Sequence, residues 1–555
     1  MDTELQQLWV KEPVPDPLYV DLFDNLRDTP IFCDSVLETA ISNNQKNDAL
    51  AVECHRCGNE LIQKNDYKAA MEQYNKSLCF AENGTDAISL AYANRSYCFL
   101  ELKMYDECIT DIELAIRANY PEKSMKKLEI RKLICLEAMD TSAKRTPIKP
   151  QLSFPSSDTI PYMANVLTIE RNDRFGRHFK AKCNIQEDRV ILIEEPLMRL
   201  VDSNSQYRRC YSCLKQYRNL IPCDICTKVL FCSGECAGSA SLHKYECNMK
   251  HWKLFDGSAG SNVQSCVKFA LQAVLRGLET FSSSEELMEY VEFIRADNDV
   301  NQVILADGSF ESMLGIFLTH HDHVSYTEGR VKVLIIACVV YDYIMGHPEL
   351  KTNFLTEKVQ RFLMHLVTQL VSIYSLNNIL LQEWSENWSD IIVNNSMETF
   401  GVSLFNISSY VNHACMPNAV RLTTADHLIL RTIRPINKGE QIFVRYAIDA
   451  NWPTAQRQRQ LFRLCGFKCE CALCLSNGPL KDISVVSTEF ANLSAELAPL
   501  IFLKVKETDK WATVKDKLFK FVKKYEALPA TKSIILAYEF IRMILIRDFS
   551  CSTNV

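Results

Sequence analysis

The chain has 555 residues, 47% hydrophobic and 23% charged, and Lys plus Arg (62) against Asp plus Glu (68) leaves a net charge of −6. This ordinary globular balance gives room for three or four domains at roughly 150 residues each, and excludes a disordered, collagen-like or polybasic nucleic-acid-binding chain. No apolar run reaches the about 18 residues of a membrane span, the N-terminal MDTELQQLWVKEPVP lacks the charged-then-apolar order of a secretion signal, and 23 cysteines in such a chain point to metal rather than disulfides.

Residues 1–50 are weakly patterned and read as a leader with one helix at 31–42. Residues 51–140 are helical throughout and contain two similar segments, GNELIQKNDYKAAMEQYNKSL (58–78) and SYCFLELKMYDECITDIELAI (96–116). Aligning Gly58 with Ser96 sets Tyr67 on Tyr105, Ala70 on Cys108, Tyr74 on Ile112 and Ser77 on Ala115. This alternation of small and large residues lets antiparallel helices pack closely. It resembles the tetratricopeptide (TPR) pattern, with a period of 38 residues rather than about 34, and a helix at 122–139 adds a partial unit or a cap. Residues 141–161, with four prolines among serines and threonines, read as a linker.

Strand-like runs follow within 162–206: NVLTIE, HFKAK and RVILIEEPLMRL. A cysteine-dense block occupies 207–250, and residues 251–395 are long amphipathic and apolar helices, among them the buried-type run VLIIACVVY (333–341). Strand patterns return within 396–455, at 419–423, 427–433 and 441–446. A second cysteine cluster lies in 456–476, and 477–555 is helical again. The strand-forming pieces are split by about 220 residues, which reads as two β domains or as one with a large insertion.

The first cysteine block holds Cys210-x2-Cys213, Cys223-x2-Cys226, Cys232-x3-Cys236 and His243-x3-Cys247, eight zinc-type ligands. Zinc takes about four thiolate or imidazole ligands in a tetrahedron, so eight ligands mean two ions. The block has almost no apolar core of its own, and metal binding must supply its folding energy. Spacing alone leaves interleaved and sequential pairing both open. Seven Lys/Arg against three Asp/Glu in this block suit an acidic partner or a solvated basic face. The second cluster, Cys469-x-Cys471-x2-Cys474, has three ligands and needs a fourth from elsewhere; Cys415, in a polar turn-rich stretch, is the candidate.

Three motifs on this side belong together: NHACMPN (412–418), GEQIFVRY (439–446) and CECALC (469–474). They resemble the NHSCxPN, GEE/Q-type and post-SET CxCxxC motifs of SET-domain lysine methyltransferases. The order of pairs in the first block resembles the MYND finger, and Phe175-Gly176-Arg177-His178 resembles the family's GxG turn. With the TPR-like region in front, the chain resembles the TPR-bearing type of SET-and-MYND-domain (SMYD) proteins over roughly residues 60–540.

That resemblance implies an α+β fold, in which a β-rich SET core is split by a MYND double-zinc finger and a helical insert and flanked by α-helical TPR-like regions. The C-terminal helices would fold back to wall the substrate groove. It implies interleaved finger sites, Cys210, Cys213, Cys232 and Cys236 against Cys223, Cys226, His243 and Cys247, and a third zinc on Cys415, Cys469, Cys471 and Cys474. The implied activity is S-adenosylmethionine (AdoMet)-dependent methylation of lysine in histone or non-histone proteins, with a transcription-regulatory role in nucleus and cytoplasm. Tyr446 would be catalytic; Phe175, Gly176, Arg177, Asn412, His413, Tyr446 and Phe467 would bind AdoMet.

Peptide ligands of the finger and of the TPR-like helices are the expected partners, with no membrane and no direct nucleic-acid binding. Arg445 reads as a solvent-facing strand residue. Three departures favour an alternative, a catalytically weak scaffold for protein–protein contacts. His178 replaces the second glycine of the turn, where a side chain crowds a ligand. Cys465 stands where the family has a second active-site tyrosine. No motif is recognisable in 366–378, and Asn377 is left unassigned.

Overall fold

The computed structural model describes residues 45–141, 150–247, 260–296, 309–318, 327–383, 398–477, 484–502 and 508–553, apart from positions 173, 447, 526–527 and 529–530. The expected helix at 31–42 lies outside these residues.

Five helices open the described chain: α1 (Asp48–Gln63), α2 (Tyr67–Phe80), α3 (Asp86–Glu101), α4 (Tyr105–Arg117) and α5 (Met125–Thr141). Asn47 and Asp66 cap α1 and α2 through their side chains, satisfying first-turn N–H groups. The first four helices form two packed hairpins, as the repeat pattern predicts. The aligned positions Gly58, Ala70, Tyr74, Ser77, Ser96, Cys108, Ile112 and Ala115 are all buried. Gly58 has its place because a Cβ there would come within 2.6 Å of the Tyr74 ring. α5 packs on α3 and α4 as a single closing helix.

The second half of the presumed linker is docked on the next domain. Ser153 N–H donates to the Val190 carbonyl at 2.9 Å, Ser156 bridges Ala164, and Leu152 and Phe154 pack on the core.

The strand-forming pieces make one β domain with insertions, which decides between the alternatives the sequence left open. β1 (Leu167–Asn172) pairs with β2 (Gly176–Ala181), and β3 (Val190–Glu194) lies beside β11 (Leu428–Thr432) and β10 (Ala419–Thr423) in the order β10-β11-β3. β4 (Met198–Val201) joins β8 (Glu398–Leu404) and β7 (Ile379–Glu383) in the order β4-β8-β7. Residues from before and after the insertion therefore share two sheets. Gly401 in β8 passes so close to β4 that a Cβ would meet the Leu200 carbonyl oxygen at 2.6 Å.

The insertion begins with the short hairpin β5 (Ile221–Pro222) and β6 (Leu230–Phe231) and two short helices, α6 (Gly234–Gly238) and α7 (His243–Glu246). It continues with α8 (Gly260–Thr280), α9 (Ser284–Ala296), α10 (Phe310–Leu318), α11 (Thr327–Gly346) and α12 (Glu357–Asn377). Apolar faces of α8, α11 and α12 share one core with β2, β3 and β8.

After β12 (Phe443–Val444) come α13 (Thr454–Cys465), α14 (Ala472–Leu475), α15 (Ser484–Phe502), α16 (Thr508–Lys524) and α17 (Lys532–Thr553). The last three fold back on the sheet, as expected. Val420, Leu422, Ile429 and Ile433 meet Val486, Trp511 and Ile544 in a second core.

Candidate active site and metal centres

Three groups of four ligands converge, and each keeps its donor atoms within 4.8 Å of one another. Cys210, Cys213, Cys232 and Cys236 form one; Cys223, Cys226, His243 and Cys247 form the second; Cys415, Cys469, Cys471 and Cys474 form the third. The pairing of the finger is therefore interleaved. Sulfur–sulfur separations of 3.5 Å (Cys213–Cys232, Cys232–Cys236), 3.7 Å (Cys223–Cys247) and 3.9 Å (Cys415–Cys469) fit a zinc tetrahedron, whose edge is about 3.8 Å at a Zn–S bond of about 2.3 Å. All-Cys and Cys3His donor sets suit zinc chemically, so three zinc ions fit the residues present.

Local structure builds these sites. Ser233 caps α6 by accepting from the Cys236 N–H at 3.1 Å, which sets Cys232 and Cys236 on one side of the turn. At the third site the fully buried Arg457 of α13 donates to Trp452 O at 2.5 Å and reaches Cys474 Sγ at 3.6 Å. Gln458 bonds both the N–H and the carbonyl of Cys469, at 2.9 and 2.6 Å.

The finger does not stand alone. Arg95 of α3, fully buried, pairs with Asp111 of α4 through two 2.7 Å bonds and donates to Asn75 Oδ1 at 2.6 Å and the Leu220 carbonyl at 2.7 Å. Asn75 reaches the Tyr207 carbonyl at 2.7 Å, and Asn219 of the finger bonds Asp111 and the Glu107 carbonyl, both at 2.7 Å. This docking was not legible in the sequence.

Of the predicted cofactor residues, Phe175, Asn412, His413, Tyr446 and Phe467 come from four separate segments and meet. β9 (Asn412–His413) runs parallel to β12, pairing Asn412 with Phe443 and His413 with Val444. Asn418 fixes the crossing by accepting from Phe443 N–H at 2.7 Å and donating to the Gln441 carbonyl at 2.8 Å. Asn412 donates to the Phe175 carbonyl at 2.9 Å and so fastens the β1–β2 turn to β9. The rings of Phe175 and Phe443 lie 6.4 Å apart, those of His413 and Phe467 6.0 Å, and those of Tyr446 and Phe467 6.4 Å. Arg174 pairs with Glu470 at 2.6 Å, tying the turn to the third metal loop.

Gly176 takes the left-handed conformation (φ 60°), and a Cβ there would meet nothing within 4 Å, which leaves the turn open to a ligand. The His178 ring is 4% exposed, tucked against Phe175 at 5.9 Å with its Nδ1 3.0 Å from the Gly176 carbonyl oxygen. Arg177 is committed elsewhere. It donates to Tyr410 Oη at 2.8 Å and to the Ile316 carbonyl at 2.7 Å, and stacks on the Tyr410 ring at 4.2 Å.

His413 accepts the Tyr446 N–H on Nδ1 at 3.0 Å, and its Nε2 lies 3.5 Å from Cys415 Sγ. Burial drives the imidazole far below its usual range, to about 3, so the ring is neutral. The Tyr446 hydroxyl donates to the Val411 carbonyl at 3.0 Å. Burial pushes that phenol up, against the pull of the Arg421 guanidinium, and keeps it protonated. Cys465 lies on the same cavity as Tyr446, and burial raises its thiol to about 11.

That cavity, of about 470 Å³, opens between β10, the end of α12 and α17. Asn377 and Asn378 lie at its edge, with side chains donating back to the Ile373 and Tyr374 carbonyls at 3.0 and 2.7 Å. Arg445 corrects the sequence reading. It is partly buried in this cavity, with 11% of its side chain exposed, and bonds Glu539 of α17 with both Nη atoms, one at 2.6 Å. An ionic partner about ninety residues downstream leaves no local signal. Arg421 was missed for a different reason: alternation in a strand predicts a face, not the cavity that face borders.

Among known proteins, residues 176–447 match the SET domain family. Protein-lysine N-methyltransferase SMYD4 of Danio rerio is 23% identical over 508 residues, covering 78% of this chain and 66% of the relative. SMYD4 of Homo sapiens is 21% identical, covering 75% and 66%. Histone-lysine N-methyltransferase ASHR1 of Arabidopsis thaliana is 24% identical over 315 residues, covering 56% and 55%. The chain thus spans 66% of the length of the first of these relatives.

Proposed function

For a chain that carries a SET domain and is similar to SET-and-MYND methyltransferases over most of its length, we propose that the activity is transfer of a methyl group from AdoMet to the ε-amine of a protein lysine. The observation that carries the reading is the meeting of Phe175, Asn412, His413, Tyr446 and Phe467, of which Tyr446 also lines the 470 Å³ cavity. The open left-handed turn at Gly176, the cluster of aromatic rings and the neutral imidazole fit AdoMet.

When bound, AdoMet supplies an electrophilic sulfonium methyl and leaves as the neutral thioether. The protein's part is orientation and electrostatics. The crossing of β9 and β12 fixes where Tyr446 stands, so its oxygen can face the methyl carbon without reorganisation. The cavity desolvates the incoming amine, which lowers its pKa from about 10.4 and frees the lone pair. With AdoMet held by Phe175, Asn412, His413 and Phe467, a nitrogen–carbon bond would form as the carbon–sulfur bond breaks, and the proton lost by the lysine would leave to solvent through the cavity mouth.

Substrates in this reading are histone or non-histone proteins, and the biological role is transcriptional, in nucleus and cytoplasm; the family resemblance supports those parts. Peptide ligands of the finger and of the helical repeats belong to the same reading. Because residues 219–220 of the finger are closed off by α3 and α4, a peptide would use another face. No described helix is long and apolar enough to cross a membrane.

The test is incubation of zinc-replete protein with isotope-labelled AdoMet and cell-extract proteins, with methyl-lysine identified by mass spectrometry. Tyr446→Phe is expected to cut incorporation about a hundredfold; incorporation that ignores this change sinks the catalytic assignment. A second reading, a scaffold with weak transfer, draws on Cys465, whose thiol has neither the reach nor the hydrogen bond of a phenol. Label-free protein that still captures partners through its helices would favour it.

A further inference from the structure

Among the described residues, the cavity in front of Tyr446 is lined by four charged side chains: Arg421 on β10, Arg445 just after β12, and Glu539 and Arg542 on α17. Glu539 is taken up by Arg445, and Arg542 reaches it at 3.9 Å. Arg421 donates through one Nη to the carbonyls of Ser408 (3.0 Å) and Val411 (3.3 Å), while its buried Nε has no acceptor. Glu194, the acid whose field reaches Arg421, is occupied by the N–H groups of Ile407 and Ser408, both at 2.8 Å. Three positive charges against one negative leave the cavity lining at +2.

Like charge brought into a water-poor cleft is penalised, and a missing counter-charge is rewarded. A polybasic segment would add to the excess, whereas an acidic one would offset it. The same excess disfavours the protonated amine of a lysine lodged there, so it works with the chemistry and against basic flanks. Arg542, with 33% of its side chain exposed, is the arginine most open to solvent of the two on the α17 side, against 11% for Arg445.

Resting on the methyl-transfer reading above, we propose that the segment seated in this cavity is acidic: a lysine flanked by aspartate or glutamate, one carboxylate of which pairs with Arg542. A polybasic tail is the wrong partner.

The test uses short fluorescein-labelled peptides with one central lysine, titrated with the zinc-replete full chain in S-adenosylhomocysteine and read by anisotropy. The Asp/Glu-flanked peptide should bind about ten-fold tighter than its Arg/Lys-flanked counterpart. Arg542→Gln should flatten that preference and Arg542→Glu should invert it, with near-UV circular dichroism confirming that both variants fold. Equal or tighter binding of the basic-flanked peptide, or a preference unchanged in both variants, overturns the proposal. Binding is measured without turnover, so an intact preference with no methyl transfer contradicts the activity and leaves the charge of the cavity standing.

Discussion

The imidazole of His413 joins Tyr446 to Cys415: Nδ1 accepts the Tyr446 N–H at 3.0 Å while Nε2 lies 3.5 Å from the Cys415 sulfur. With Nδ1 accepting, the ring proton sits on Nε2 and points at a metal-ligand thiolate. A bond of that kind orients the ligand and stabilises its charge. The residue proposed for catalysis and the third metal site are thus held by one side chain.

His413→Leu should therefore do two things together. Zinc affinity at the third site should fall about 10–100-fold, read by competition with a coloured chelator. Methyl transfer should fall with it, because the Tyr446 backbone loses its acceptor. A variant with altered transfer and unchanged zinc affinity would show that the contact with Cys415 carries no weight.

Arg95 and Asp111 are both fully buried and bond each other twice. Removing one partner strands a buried charge, which costs about 3–5 kcal/mol. Asp111→Ala should lower stability by that amount in urea unfolding and expose the 215–222 stretch of the finger to protease. The double change Arg95→Met with Asp111→Leu should recover part of the loss, since an apolar pair of similar bulk strands no charge. A single variant within about 0.5 kcal/mol of the parent would contradict the docking described.

Two glycines should respond differently to a single methyl. At Gly401 the added Cβ meets the Leu200 carbonyl oxygen at 2.6 Å, and backbone in a paired strand cannot swing aside. At Gly58 it meets the Tyr74 ring, also at 2.6 Å, which can shift by bending two helices apart. Both alanine variants should destabilise, by about 1–3 kcal/mol, with Gly401→Ala the costlier and the one that disturbs the β4-β8-β7 sheet. Thermal melts of the two variants decide the order.

Chelation should release three zinc ions per chain, one from each ligand group. Metal binding supplies the folding energy of such loops. Protease cuts should then open at 207–247 and 465–477, and Phe467 should lose its place beside His413. Fewer zincs, or loops that resist protease after stripping, would contradict the metal assignment.

Much of this was legible because metal and repeat motifs encode their geometry locally. Ligand spacing marked every site residue but Cys415, which its polar, turn-rich stretch singled out, and the small-large alternation from Gly58 to Ala115 marked both helical hairpins. Charged partners across the fold had no such code. The Arg95–Leu220, Arg445–Glu539 and Arg421–Val411 contacts link residues separated by 125, 94 and 10 positions. Each depends on which faces the tertiary fold brings together. Arg445 followed a strand pattern that pointed it to solvent, and the returning helix α17 covered it. His178 followed a glycine rule correctly, but its side chain had a buried place beside Phe175 that the rule does not consider.

The most direct measurement is calorimetric titration of AdoMet into the zinc-replete protein, with Asn412→Ala beside it. The account predicts saturable binding at about micromolar strength, near −8 kcal/mol, weakened when Asn412 no longer fastens the Phe175 turn to β9. No heat and no thermal shift, in protein that carries its three zincs, would contradict it.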